Sequence, residues 1–313
     1  IAFSFVLALG GFLYALFGLR VPGPKRPRGG PLRGRTAVVM TIYNEEPARS
    51  LGNLAATFES VRRTGELHSF DFFLLSDTTD AAVAAEEVAA WHALCRRLGA
   101  SGKVFYRRRE KNVGAKAGNI ADFCRRWGGA YDYMVVLDAD SVMDGRTLVE
   151  LARIMDANPK AGLVQTQTRC VGRRTLFGRM LQFSGTVYGS IFAAGQALWQ
   201  GRDGNYWGHN AIIRVAAFAA SCGLPTLPGR PPLGGHILSH DFVGGVAGAR
   251  PDRQLRRGAA HTARLRQAGP TLVPGQSAAC PGPDRPRAAR HEPVPPGHRR
   301  HGLSLGAAVA RLP

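Results

Sequence analysis

Asp138-Ala139-Asp140 directly follows the apolar run Met134-Val135-Val136-Leu137. The run reads as a buried strand. Such a strand delivers its last residues into the crevice at the carboxyl edge of an α/β sheet, where ligands bind. Two carboxylates spaced i, i+2 at that edge are hard oxygen donors, suited to Mg2+ or Mn2+ bridging a substrate's phosphates. Asp140 equally suits the N-cap of a following helix. Asp77 closes a second apolar run that begins at Phe70, where an Asx turn between strand and helix is the alternative role. Lys116 lies in a basic loop between Gly114 and Gly118. Those glycines let backbone approach closely, although the lysine could equally be one of several solvated charges. His240-Asp241 is a further titratable pair that could be catalytic or simply exposed.

These residues need elements to hold them. Thr36 to Ile42 is a β-rich run ending in the polar loop Tyr43-Asn44-Glu45-Glu46. A helical stretch follows from Leu51 to Arg63, then the strand Phe70 to Leu75 and a helix from Ala82 to Leu98. Lys103 to Tyr106 forms the next strand and leads into the charged loop Arg107 to Asn119. Strands alternating with helices, with acidic residues at strand ends, predict an α/β domain with a mostly parallel sheet.

Six strings, in order, resemble the processive family-2 glycosyltransferases with a GT-A fold. They are T-I-Y-N-E-E (41–46), L-L-S-D-T-T-D (74–80), R-R-R-E-K-N-V-G-A-K-A-G-N-I (107–120), V-V-L-D-A-D-S (135–141), G-H-N-A-I-I-R (208–214) and G-G-H-I-L-S-H-D-F-V (234–243). Within that family the chain is most similar to the membrane glucosyltransferases that build osmoregulated periplasmic glucans. Cellulose- and hyaluronan-type synthases share the aspartates, but S-H-D-F-V and G-H-N-A-I-I-R favour the periplasmic-glucan type. The resemblance implies that Asp77 contacts the uridine of UDP-glucose, with Tyr43 and Asn44 completing the nucleotide pocket. It places Lys116 near the phosphates or ribose, and Asp138 and Asp140 on the nucleotide and its divalent metal. It makes Asp241 the base that deprotonates the acceptor hydroxyl in an inverting transfer to a growing glucan. Trp207 is assigned to the acceptor side, and His209 to a structural or acceptor-side place with no proton transfer.

Ile1 to Leu19 is almost continuously apolar and uncharged, followed by Arg20, Lys25, Arg26, Arg28, Arg33 and Arg35 among Pro and Gly. About 20 such residues at ~1.5 Å rise span a hydrocarbon core. Residues 1–19 are therefore expected to be a transmembrane helix and 20–34 a basic juxtamembrane linker. The positive-inside rule puts the domain over 35–243 in the cytoplasm, at the bacterial inner membrane. The chain starts with Ile rather than Met, so further segments are expected before it.

Residues 244–313 contain no Lys, Asn, Ile, Met, Phe, Tyr or Trp and are crowded with Arg, Ala, Gly and Pro. A disordered basic tail is one expectation, since such a composition buries no core. A shifted reading frame is the other. Moving the codons over Arg253 to Pro283 by one nucleotide permits a string containing G-S-Y-E-E and R-D-R-R-W, which resembles the continuation of the same glucosyltransferases. The R-D-R-R-W string corresponds to their acceptor-gripping motif, so the chain as written is expected to lack that function.

The net charge of +19 would ordinarily suggest an anionic partner. Roughly half of it comes from the tail, and much of the rest follows the apolar N-terminus. Attraction to anionic lipid explains that cluster, and with no nucleic-acid motif no nucleic-acid partner is expected. Cys95, Cys124, Cys170, Cys222 and Cys280 show no metal-ligand spacing, so reduced thiols and no zinc site are expected. The stretch from Arg173 to Gly201 reads as helical and rich in Phe, Leu and Ala, suited to the membrane surface or to core packing.

Overall fold

The structure is a computed structural model. It describes residues 2–18, 24–25, 29–172, 174–201, 204 and 206–221, and the backbone of short strands at 226–227, 235–236 and 308–311. The expected site residue Asp241 and most of 244–313 lie outside the described residues.

Four strand–helix units and a fifth strand form the first part of the domain: β1 (Thr36–Ile42), α2 (Pro47–Arg62), β2 (Phe70–Ser76), α3 (Ala81–Leu98), β3 (Val104–Arg108), α4 (Ala115–Trp127), β4 (Tyr133–Asp138), α5 (Gly145–Ala157) and β5 (Ala161–Gln165). Local signals fix the helix ends. Pro47 opens α2, where a missing N–H costs nothing. Asp80 caps α3 by accepting from the N–H groups of Ala82 and Val83, and Gly99 ends it in the left-handed conformation, as a C-terminal glycine does. Asp144, four residues after Asp140, caps α5 through the Arg146 N–H. Asp140 is therefore not the helix cap.

The remaining elements are α6 (Leu176–Val187), α7 (Gly189–Gln200), β6 (Ala211–Arg214), α8 (Val215–Ser221), β7 (Thr226–Leu227), β8 (Gly235–His236) and β9 (Ala308–Arg311). Among the described residues one sheet runs in the order β3-β2-β1-β4-β6-β5-β9. The strands β3, β2, β1 and β4 are parallel, while β6 is antiparallel to both β4 and β5. The mostly parallel α/β architecture is as the sequence predicts. The antiparallel β6 was not foreseen, and β9 places four residues of the tail on the sheet edge.

Alternation along β1 divides the core. Val38 and Met40 pack with Leu54, Phe58 and Leu148 on one face. Ala37 and Val39 pack with Ile120, Phe123 and Val136 on the other. Both faces of the central strands are buried, as parallel sheets require. Helix α5 lies so close to α2 that a Cβ on Gly145 would stand 2.3 Å from the Ser60 carbonyl carbon and oxygen. Gly145→Ala must push the helices apart, with an expected loss of about 1–3 kcal/mol. Urea unfolding followed by circular dichroism measures it, and an unchanged midpoint would refute the close approach.

The described N-terminal helix is shorter than the stretch expected to span a membrane. Helix α1 covers Ala2–Leu16, 15 residues, about 22 Å at the usual helical rise. No described helix is long and apolar enough to cross a membrane. Instead α1 packs on α7 through small residues. A Cβ on Gly11 would meet the Ile191 carbonyl oxygen at 1.9 Å, and one on Gly195 would meet that of Leu7 at 1.8 Å. Phe3 meets Trp199 edge-on. The outer faces of α1 and α6 expose Phe5, Phe12, Leu16, Leu176, Phe177 and Phe183. The expectation of reduced cysteines holds for Cys124 and Cys170.

Candidate active site

The chain turns one way from β1 to β2 and β3 and the other way to β4, which leaves a crevice where the order reverses. A cleft of about 630 Å3 opens there, lined by Tyr43, Asp77, Lys116, Asp138 and Asp140 among others. Five of the sequence-predicted residues thus meet in one place, although they come from three strand ends and one helix. Asn44 and the acceptor-side candidates Trp207 and His209 are not part of its lining.

Asn44 bridges two loops at the sheet edge. Its side-chain oxygen accepts from the N–H groups of Thr79 and Asp80, and its amide donates to Thr79 Oγ1. It therefore ties the loop after β1 to the loop after β2. Beneath the second loop, the fully buried Glu87 accepts from Thr78 Oγ1 at 2.5 Å and from the Tyr106 hydroxyl at 2.8 Å. Burial, with Glu87 next, pushes the Tyr106 phenol well above its ordinary range, so the hydroxyl stays a donor.

Asp77 is buried and held on both oxygens by Arg109, Nε to Oδ1 at 2.7 Å and Nη2 to Oδ2 at 2.5 Å. Asn112 Nδ2 donates to the Asp77 carbonyl at 2.5 Å. One layer down, Arg107 donates to the side-chain and backbone oxygens of Asn119, whose amide donates to the Leu75 carbonyl. Burial lowers the Arg107 guanidinium to about 10, opposed by the Asp122 carboxylate. Asn119, at the cleft wall, is thereby locked to the end of β2. In the sequence Arg109, Asn112 and Asn119 look only like members of a charged loop. The available signal was position: Arg109 immediately follows β3 at the sheet edge that carries the aspartates.

Lys116 Nζ lies 2.5 Å from Asp138 Oδ1 and donates to the Gly208 carbonyl at 2.9 Å. It stands in the first turn of α4, where a cation opposes the helix dipole. Lysine and helix N-terminus together make a positive end suited to an anion. His209 Nε2 lies 3.9 Å from Asp138 Oδ2. The loop around it is laced to the end of β5 by Gln165, which accepts from the Trp207 N–H and donates to the His209 carbonyl. The left-handed non-glycine residues Asn44, Ala115 and Asn210 stand in three loops at this same edge. Such backbone costs about 1–3 kcal/mol each and gathers at functional sites.

Asp140 is exposed and has no protein partner among the described residues. With Asp138 it offers two hard carboxylates, fitting Mg2+ or Mn2+ in charge and donor type. No cluster of three metal-ligating side chains occurs among the described residues. A bound cation would complete its coordination from a diphosphate and water, as Mg2+ commonly does.

Comparisons with known proteins bear on the family. The chain is 51% identical over 251 residues to the glucans biosynthesis glucosyltransferase H of Xylella fastidiosa, covering 78% of this chain and 38% of that protein. It is 55% identical over 209 residues to the protein of that name from Cupriavidus pinatubonensis, covering 67% and 24% respectively. The chain therefore spans well under half the length of these curated relatives. Among solved structures, the mannosyltransferase PcManGT from Pyrobaculum calidifontis superposes with a TM-score of 0.47 at 16% identity, over 72% of this chain and 56% of that one. The profile described as Glycosyl transferase family 2 matches residues 37–221. That match spans β1 through α8 and takes in every described residue of the cleft, so the chain belongs to glycosyl transferase family 2.

Proposed function

We propose that the chain carries the donor site of an inverting glucosyltransferase. It would transfer glucose from UDP-glucose to a growing β-glucan of the osmoregulated periplasmic type. The observation that carries this reading is the meeting of Asp77, Lys116, Asp138 and Asp140 on one cleft at the switch point of the sheet. The names of the relatives supply the glucan.

In this reading Tyr43 and Asp77 face the base, and Lys116 neutralises phosphate charge. Asp138 and Asp140 hold Mg2+ or Mn2+, which offsets the charge of the diphosphate leaving group. Asp241 takes the proton from the acceptor hydroxyl. The oxygen then bonds to C1 of glucose as the C1–O bond to UDP breaks, with inversion. His209 and Trp207 lie toward the acceptor. The exposed apolar residues of α1 and α6 support a membrane-facing side, with lipid as a partner and the bacterial inner membrane as the location.

Titration calorimetry with UDP-glucose and Mn2+ tests the proposal. Binding in roughly the micromolar to millimolar range that EDTA weakens is expected, with slow release of UDP on incubation as water accepts the glucose. Affinity that EDTA leaves unchanged, or no binding, would refute it. A chain with the reading frame restored through R-D-R-R-W is expected to add glucan synthesis.

A further inference from the structure

The geometry points to Arg109 as the residue that sets base specificity, by leaving Asp77 able to accept one donor from a base but not a parallel pair. This rests on the reading above that Asp77 faces the nucleotide base. A carboxylate has about four lone-pair sites on two oxygens. The Arg109 fork occupies one site on each oxygen, through Nε at 2.7 Å and Nη2 at 2.5 Å. A two-pronged bond of this kind takes the pair of sites that point the same way. Those left over diverge.

A uracil ring presents one imide N–H between two carbonyls, which a single remaining site satisfies. Guanine presents two parallel donors, its ring N–H and its exocyclic amine, and needs the convergent pair that Arg109 already holds. The second donor would then be desolvated without an acceptor, and such a mismatch costs at least about 10-fold in affinity. The fork is rigidly built. Arg109 Nη1 also donates to the Val113 carbonyl at 3.0 Å and Nη2 to that of Ala115 at 2.9 Å. Its backbone N–H donates to the Ser76 carbonyl at 3.0 Å. The Arg109 and Asp77 side chains are only 10% and 7% exposed, so the ion pair is little screened by water. Arg109 is a positioning residue in this account and need not touch the ligand.

Competition calorimetry with UDP, GDP and inosine diphosphate, each with Mn2+, decides the matter on the unmodified chain. Inosine diphosphate keeps the purine ring N–H but lacks the exocyclic amine. The expected order is UDP tightest, by at least about 10-fold, with GDP no tighter than inosine diphosphate. GDP binding about 10-fold tighter than inosine diphosphate would show both donors accepted and overturn the inference. In Arg109→Lys, which keeps the charge but loses the fork, the UDP-to-GDP preference should fall by about 10-fold. Equal weakening of both nucleotides would overturn it, being what a merely structural arginine gives. Asp77→Asn separates the underlying reading. If it leaves UDP affinity unchanged, Asp77 does not meet the base at all. If it weakens UDP while Arg109→Lys leaves the preference intact, only the role given to Arg109 fails.

Discussion

Asp138→Asn is expected to weaken UDP binding in Mn2+ by on the order of 100-fold, and to leave it unchanged or tighter in EDTA. The substitution keeps the shape of the side chain and removes one negative charge. With metal present, that charge anchors the cation that neutralises the diphosphate, so its loss is felt in full. Without metal, the same carboxylate faces an anionic ligand and repels it. Its removal also frees Lys116, now 2.5 Å from Asp138 Oδ1, to meet phosphate directly. The sign of the effect therefore depends on the metal.

A fold-wide explanation predicts no such reversal. The Lys116 and Asp138 side chains are 31% and 36% exposed, so losing their pairing should cost roughly 1 kcal/mol of stability or less. Calorimetry in the two buffers, beside a thermal melt, separates the cases. An equal loss in Mn2+ and EDTA would remove Asp138 from the metal.

How much of this was legible in the sequence depends on whether the deciding contact is local. Asp77, Asp138 and Asp140 were readable because each follows an apolar run, and a buried parallel strand has nowhere to put a carboxylate except its exposed end. Lys116 was readable from its bracketing glycines. Arg109 was not. Its partner Asp77 lies 32 residues away, and a run of Arg, Glu and Lys looks the same whether it faces water or a buried aspartate. Asn44 was placed in the right loop, yet its side chain is used against Thr79 and Asp80, a pairing set by the parallel register of β1 with β2.

The packing of the N-terminal helix was illegible for the same reason. Hydropathy alone cannot tell a membrane span from a helix seated on another helix. The contact of Gly11 with α7 is made about 180 residues away in the chain. The antiparallel β6 likewise depends on the whole chain returning to β4, and its short run Ala211–Arg214 carries no sign of direction.

Gly118→Ala should dismantle the same site without removing any charged group, although the added Cβ would also stand 3.1 Å from Arg109 Nη1. A Cβ there would stand 1.9 Å from the Val113 carbonyl oxygen and 2.9 Å from its carbon. Both are backbone atoms, so no side-chain rotation relieves the clash. The same carbonyl accepts from Arg109 Nη1, and the Gly118 N–H donates to the Gly114 carbonyl at 2.8 Å. Moving this turn therefore withdraws Lys116 from Asp138 and loosens Arg109 from Asp77 together. A stability loss of about 1–3 kcal/mol is expected from the overpacking. UDP affinity should fall by on the order of 100-fold, because Lys116 and the Asp77 carboxylate that Arg109 holds are misplaced at once. Gly52, within α2 and with nothing near its would-be Cβ, is the control. There Ala should stabilise by about 0.5–1 kcal/mol through helix propensity and leave UDP binding alone. If Gly118→Ala binds UDP as tightly as the unmodified chain, the turn is not what aligns Lys116 and Arg109.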